Sequence, residues 1–145
     1  MAELTFELVT PEGIKFTHEA YEIMLPTAEG QVAILPHHIP LVSLAVPGVV
    51  SIRRKQSDSD SQLEHFAVSG GLIEISGSRV RLLADTAEHA EDVDELRAKE
   101  ALERARELAK TAKDDVSLAD ATAAIERNLG RIKVAELKKR RRPRG

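Results

Sequence analysis

The sequence predicts an α+β chain in which an N-terminal β-sandwich is followed by a C-terminal antiparallel helical hairpin. Residues 1–85 contain short apolar segments rich in Val, Ile, Leu and Phe, separated by Pro and Gly, and short strands at such spacing are typical of a sandwich. From Val93 onward glycine is absent until Gly130, alanine becomes common, and apolar residues recur at helical spacing. These two patterns divide the chain into a β part and a helical part.

The β part contains eight segments that we interpret as strands, bounded by turn-forming residues such as Pro11, Pro26 and Gly77. The segments are LTFELVT, YEIMLP, GQVAIL, LVSLAV, GVVSIRR, LEHFAVS, GLIEIS and RVRLLAD. The polar stretch KQSDSDSQ between two of them predicts a surface loop. Gly70 and Gly71 predict a strand turn and not a phosphate-binding loop, because neither Lys-Ser/Thr nor a helix follows them.

The helical part predicts two amphipathic helices that turn near Asp114. Apolar positions of the first helix are Ala98, Ala101, Leu102, Ala105, Leu108, Ala109 and Ala112. Those of the second helix are Leu118, Ala121, Ile125, Leu129 and Ile132. Ser117 or an aspartate in the intervening KDDVS can cap the second helix, and Pro143 ends it.

The predicted seam between the helices is made mainly of alanine, which makes its closure weak. Each CH₂-sized group contributes about 0.8 kcal/mol when buried, whereas backbone ordering costs roughly 1 to 2 kcal/mol per residue. We therefore expect a hairpin that is marginal alone and that opens when a ligand or a partner changes the balance.

Composition excludes several classes of protein. The absence of cysteine excludes disulfides and a thiolate zinc site, and three Phe, one Tyr and no Trp argue against a platform for base stacking. No run of 18 apolar residues occurs, and the N-terminus lacks the basic residues followed by an apolar run that begin a signal peptide. We expect a soluble, cytosolic chain. The sequence shows no nucleophile paired with a base, as an enzyme of that kind would need. The adjacent His37 and His38 lack a third ligand for a metal.

The C-terminal end is strongly basic. Residues 132–145 hold seven Lys or Arg against Glu136, a net charge of +6 within a chain of −3, so the remaining residues carry −9. Such a run is either a solvated end or a contact for an acidic partner or nucleic acid. The negative remainder argues against a continuous nucleic-acid-binding face.

Four arginines in the predicted hairpin form a candidate anion site. A turn near Asp114 places Arg97 opposite Arg131 and Arg104 near Arg127. Arg127 and Arg131 form a like-charge pair one turn apart, with no acid three or four residues away on their own helix. Either these side chains reach from the seam into water, or they hold a polyphosphate, whose oxygens pair with guanidinium groups.

The segment GQVAILPHHIPLVSLAVPGVVSIR, the GGLIEI turn and the two-helix end resemble the ε subunits of bacterial F-type ATP synthases over nearly the whole chain. The resemblance implies a sandwich of about ten strands over residues 1–87, a regulatory hairpin over 88–139 and a basic tail over 140–145. It also implies a non-catalytic rotor subunit that inhibits ATP hydrolysis. Such a subunit lies at the cytoplasmic side of the cell membrane, which it meets only through the complex.

The stretch VDELRA resembles the [Ile/Leu/Val]-Asp-x-x-Arg-Ala motif with which some of these ε subunits bind ATP as a regulatory ligand, without needing magnesium. The resemblance assigns the adenine region to Glu88, Val93, Asp94 and Ala98. It assigns the phosphates to Arg97, Arg104, Arg127 and Arg131. Val93 stands where Ile or Leu is commoner, which weakens adenine packing by up to about 1 kcal/mol.

The same resemblance predicts the partners. Glu29, Gln31 and His38 lie in the part of the sandwich expected to face the γ subunit and the c ring. Lys138, Lys139 and Arg140 are expected to meet acidic segments of the β subunit, within the α and β catalytic head, when the hairpin extends along γ. The alternative is a nucleic-acid-binding protein that uses its basic tail.

Overall fold

The computed structural model of the chain describes residues 3–140 and confirms the predicted sandwich followed by two helices. The strands are β1 (Leu4–Thr10), β2 (Gly13–Ala20), β3 (Glu22–Thr27), β4 (Gly30–Ile34), β5 (Leu41–Ala45), β6 (Gly48–Arg53), β7 (Glu64–Val68), β8 (Gly71–Ser76), β9 (Arg79–Ala84) and β10 (Ala87–His89). The helices are α1 (Glu95–Thr111) and α2 (Asp115–Arg140), with short 3₁₀ turns at Asp60–Gln62 and Ala90–Asp92. No described helix is both long and apolar enough to cross a bilayer.

Two five-stranded sheets enclose the main core. The first has the order β2-β1-β9-β8-β5 and the second β10-β7-β6-β3-β4. β1 shows why the layers form, because every second side chain, from Leu4 through Phe6 and Leu8, is buried between the sheets. β1 pairs with β9 in parallel, whereas the other strand pairs are antiparallel.

The turn between β7 and β8 requires glycine, as the sequence indicates. Gly71 has φ 154°, and a Cβ placed there would lie 1.9 Å from the carbonyl oxygen of Leu83 on β9. Any side chain would therefore force β8 and β9 apart. This close approach lies inside the first sheet, where β8 pairs with β9 on one side and β5 on the other.

Two strands were missing from the sequence prediction. β2 is mostly exposed along its length, so it lacks the apolar alternation that marks a strand with one buried face. β10 has only three residues and pairs with β7 at the edge of the second sheet. The predicted division between residues 87 and 88 lies inside β10 and stays a prediction.

α2 packs against α1 and also against the outer face of the second sheet. It contacts β6, β7 and the 3₁₀ turn at Ala90–Asp92. Val134 and Ala135 of α2 form a second apolar cluster with Ala67, Ala90 and Val93. The hairpin is therefore folded down on the sandwich in this structure.

The inward face of α2 differs from the predicted seam. Ala121 is buried as expected, but Leu118 and Leu129 are 45% and 46% exposed, and Asn128 is buried instead. The reason is that α2 has two neighbours, α1 and the sheet, so an apolar seam directed at α1 alone does not describe its buried side. On α1, the predicted positions Ala98, Leu102 and Ala105 are buried.

Candidate functional site

A cavity of about 260 Å³ lies between the edge of the second sheet and α2. Its walls come from the end of β7, the segment that leads into β10, and one face of α2. The lining residues are Ala67, Val68, Thr86, Ala87, Glu88, Arg127 and Arg131. Glu88 is placed by its pairing with Ala67 in β10 and β7, and Arg127 and Arg131 lie one turn apart on α2. The cavity thus brings one carboxylate and two guanidinium groups together.

Arg131 is held by three hydrogen bonds. Its Nε donates to Glu88 Oε2 over 2.7 Å, its Nη2 to Glu88 Oε1 over 3.5 Å, and its Nη1 to Asn128 Oδ1 over 3.1 Å. Both charged side chains are partly buried, so water screens their attraction less than at an open surface. The anion expected near Arg131 is, in this structure, the chain's own Glu88.

Asn128 is a site residue that the sequence reasoning missed. Its side chain is buried, and its Nδ2 donates to the carbonyl oxygen of Ala124 over 2.8 Å, which fixes the orientation of the amide. The oxygen of that amide then faces Arg131. The spacing of Asn128 and Arg131 could have indicated this contact, because residues three apart on a helix are neighbours.

Two of the predicted arginines have no counter-ion among the residues that the structure describes. Arg127 lines the cavity, whereas Arg104 lies on α1 outside its lining. Within residues 3–140, no salt bridge joins either side chain to an acid. Both side chains are exposed and are therefore available to an anion.

The start of α1 contains the rest of the predicted nucleotide residues. Asp94 is the N-cap of α1, since its Oδ1 accepts from the backbone N–H of Arg97 over 3.1 Å. The Arg97 side chain is 82% exposed, with its Nε 3.6 Å from Asp94 Oδ2. Ala98 and Val93 are buried. The structure therefore gathers Glu88, Arg127 and Arg131 in one cavity and leaves Arg97 and Arg104 outside its lining.

The predicted contacts of the sandwich lie near the open edges of the two sheets. Glu29 is in the turn between β3 and β4, Gln31 is on β4, and His38 follows β4 with its Nδ1 2.7 Å from the carbonyl oxygen of Ile39. We call the exposed apolar side chains of this region the edge patch. It consists of Val32, Leu35, Ile39, Leu41, Val42 and Leu44.

The predicted basic contacts lie at the end of α2. The Nζ of Lys138 is 3.6 Å from Glu91 Oε2, and the Nζ of Lys139 is 2.5 Å from Glu95 Oε2. Hydrogen bonds from Lys139 and then from Lys99 hold the pKa of Glu95 below its ordinary value. The side chain of Arg140 and residues 141–145 lie outside the described residues.

Comparison with known proteins identifies the family. Residues 3–90 match the model of the β-sandwich domain of the ATP synthase delta/epsilon chain, and residues 91–136 match the model of its long α-helix domain. The chain belongs to this family. The resemblance to ε subunits drawn from the sequence is thus confirmed.

Individual members of the family match along almost the whole chain. The ATP synthase epsilon chain of Chromobacterium violaceum is 36% identical over 141 residues, which is 97% of this chain and 99% of that protein. The ATP synthase epsilon chain of Moorella thermoacetica is 37% identical over 135 residues, 93% of this chain and 98% of that protein. A chain in the solved Euglena gracilis mitochondrial ATP synthase shares the fold, with a TM-score of 0.77 at 20% identity over 94% of this chain and 82% of that chain.

Proposed function

We propose that the chain is the ε subunit of the central stalk of a bacterial F-type ATP synthase, and that its hairpin restrains ATP hydrolysis in a manner sensitive to ATP. The near full-length match to ε chains supports the first part. The observation that carries the second part is the folded-down hairpin beside a cavity lined by Arg127 and Arg131. The subunit is regulatory and meets the cytoplasmic side of the membrane only through the complex.

The edge patch is the surface proposed to hold the sandwich on the rotor. Val42 and Leu44 are 68% and 69% exposed on β5, an edge strand of the first sheet, and Val32 lies on β4, an edge strand of the second. Clustered exposed apolar side chains mark protein contacts, and open strand edges invite pairing. We assign this surface to γ, with Glu29, Gln31 and His38 directed toward γ and the c ring.

The arginine cavity is the proposed site for the phosphates of ATP. A phosphate that reaches Arg131 exchanges the Glu88 carboxylate for phosphate oxygens, and the same ligand supplies Arg127 with a counter-ion. The exposed side chains of Arg97 and Arg104 on α1 then turn toward the ligand. The guanidinium groups provide the positive charge that magnesium provides in other nucleotide sites.

The proposed base site lies at the start of α1. Val93 and Ala98 are buried there, so the base must displace part of their present packing to contact them, whereas the exposed Asp94 carboxylate can accept a hydrogen bond from adenine. A ligand that bridges this region and α2 binds the folded hairpin better than an open one. It therefore stabilises the folded form by RT ln(1 + [L]/Kd), which is about 2.7 kcal/mol at a hundredfold excess over Kd.

When ATP is scarce, the hairpin opens in this proposal and extends along γ toward the catalytic head. Lys138, Lys139 and Arg140 then meet acidic segments of the β subunit and resist the rotation that accompanies hydrolysis. The chain performs no covalent step. Its effect is a shift between two arrangements of the same helices.

Assembly with the rotary complex tests the proposal. The chain is co-expressed with α, β, γ and c subunits, either at full length or ending at Ala90, the last residue that the sandwich family model matches. Both forms should co-purify with γ, and the shorter form should give faster ATP hydrolysis at low ATP. Absence of both forms from the purified complex would contradict the assignment to the stalk.

A further inference from the structure

The two ends of the folded hairpin are joined by ion pairs. Glu95, in the first turn of α1, accepts from Lys139 near the end of α2 over 2.5 Å and lies 3.3 Å from Lys99 on its own helix. Glu91, in the 3₁₀ turn before α1, lies 3.6 Å from Lys138. Both long-range pairs therefore connect the beginning of the helical part to its basic end.

These pairs have a common orientation that favours closure. The carboxylate of Glu95 lies at the N-terminus of α1, where the helix dipole stabilises negative charge, and the two lysines lie near the C-terminus of α2, where it stabilises positive charge. In an antiparallel hairpin these two helix ends are adjacent. Folding down therefore brings complementary ends together, and opening separates them.

The same lysines are the ones proposed to bind the catalytic head. In the folded form the ammonium groups of Lys138 and Lys139 already have carboxylate partners, so an acidic surface must compete with Glu91 and Glu95. Exposed ion pairs are weak individually. Weak pairs can still act here, because a two-state element changes its populations over a free-energy range of only a few multiples of RT.

We propose that Glu91 and Glu95 form an internal acidic latch, which occupies Lys138 and Lys139 while the hairpin is folded and releases them when it opens. This latch rests on the proposed function, because it regulates the contact assigned there to the basic end of α2. Folding of the hairpin and docking on an acidic partner surface are then mutually exclusive uses of one pair of lysines. The latch also predicts that added salt loosens the folded form.

The full-length chain provides a direct test, because it has no native cysteine. Spin labels on Ser78→Cys at the β8–β9 turn and Leu129→Cys on α2 report the distance between sandwich and hairpin. In Glu91→Gln/Glu95→Gln, the open population should rise about three- to tenfold, the range expected for two partly exposed pairs. Glu95→Lys combined with Lys139→Glu should open the hairpin less than Glu95→Lys alone, because the swap restores an opposite-charge pair.

A matched control removes the same number of carboxylates, both from α1. Glu103 and Glu107 pair with Arg106 and Lys110 three residues further along α1, and not with α2. Glu103→Gln/Glu107→Gln should therefore leave the distance distribution unchanged. Equal opening in the two double variants, or no opening in either, would overturn the latch.

The assembled complex separates failure of the latch from failure of the proposed function. If deletion of residues 138–145 accelerates ATP hydrolysis, the basic end inhibits, and Glu91→Gln/Glu95→Gln should then slow hydrolysis relative to the wild type. Unchanged hydrolysis in that double variant would refute competition for the lysines. If the deletion has no effect, the inhibitory role of the basic end fails, and the spin-label distances alone decide whether the latch exists.

Discussion

Burial of Val134 is one of the apolar contacts that hold the folded hairpin on the sandwich. Val134 is fully buried between α2 and the second sheet, in the cluster that also contains Ala67 and Val93. Val134→Ala removes two methyl groups from this contact and leaves the charged groups of the cavity and of the latch unchanged. The variant therefore measures how far apolar packing, and not charge, holds the hairpin on the sandwich.

The expected effect follows from the area lost. Each CH₂-sized group contributes about 0.8 kcal/mol when buried, and a residual cavity adds to that loss, giving about 1.5 to 2.5 kcal/mol against the folded form. Because about 1.4 kcal/mol corresponds to a factor of ten, the open population should rise about ten- to sixtyfold. Val116→Ala is the control, since Val116 is on the same helix but 72% exposed.

Spin labels on Ser78→Cys and Leu129→Cys measure the open population of both variants. Val134→Ala should populate the longer distance, and Val116→Ala should match the unsubstituted chain. Because both variants replace valine by alanine in α2, a difference between them reports packing and not helix propensity. Identical distance distributions would show that burial of Val134 does not keep the hairpin closed.

Three further predictions concern the cavity, the latch and the edge patch. Asn128→Ala removes one acceptor of the Arg131 guanidinium and should weaken ATP binding about fivefold by calorimetry, which is about 1 kcal/mol, the typical net worth of one hydrogen bond; unchanged affinity would exclude an orienting role. Since lysine hydrogen bonds lower the pKa of Glu95 below about 4.5, its stabilisation of the folded hairpin should be complete above that pH and disappear as the pH falls further, so the difference in open population between wild type and Glu95→Gln should vanish in acid. Val42→Asp should reduce co-purification with γ without lowering the thermal stability of the sandwich. Ile14→Asp is the control, since Ile14 is 63% exposed at the opposite edge of the same sheet, and it should leave co-purification with γ unchanged.

The sequence predicted the elements of the fold better than their mutual packing. Apolar alternation identified β1, and alanine spacing identified α1, because an element with one buried face has apolar residues at regular intervals in the sequence. The parallel pairing of β1 with β9 leaves no such local trace. The inward side of α2 was also hidden, because Asn128 and Val134 are buried by a sheet whose position relative to the hairpin no spacing reveals.

The candidate site shows the same limit. Spacing along α2 correctly indicated that Arg131 lacks an acid on its own helix, and the structure supplies Glu88 from a strand 43 residues earlier. The predicted opposition of Arg97 and Arg131 assumed that both side chains point into the hairpin seam. Arg131 points instead to the sheet, because Glu88 and Asn128 both hold its guanidinium. Whether ATP draws the four arginines together stays a prediction.

Calorimetric titration of the full-length chain with ATP tests directly whether the hairpin is a nucleotide-sensitive element. We expect binding at or below millimolar ATP and a loss of at least about tenfold in affinity for Arg131→Ala, the scale of one charged hydrogen-bonding partner. Lys133→Ala, which removes a positive charge from an exposed position of α2, should lose far less. No heat of binding in the unsubstituted chain, or equal losses in the two variants, would refute the ATP site and leave the arginines a role in packing or in contacts with other subunits.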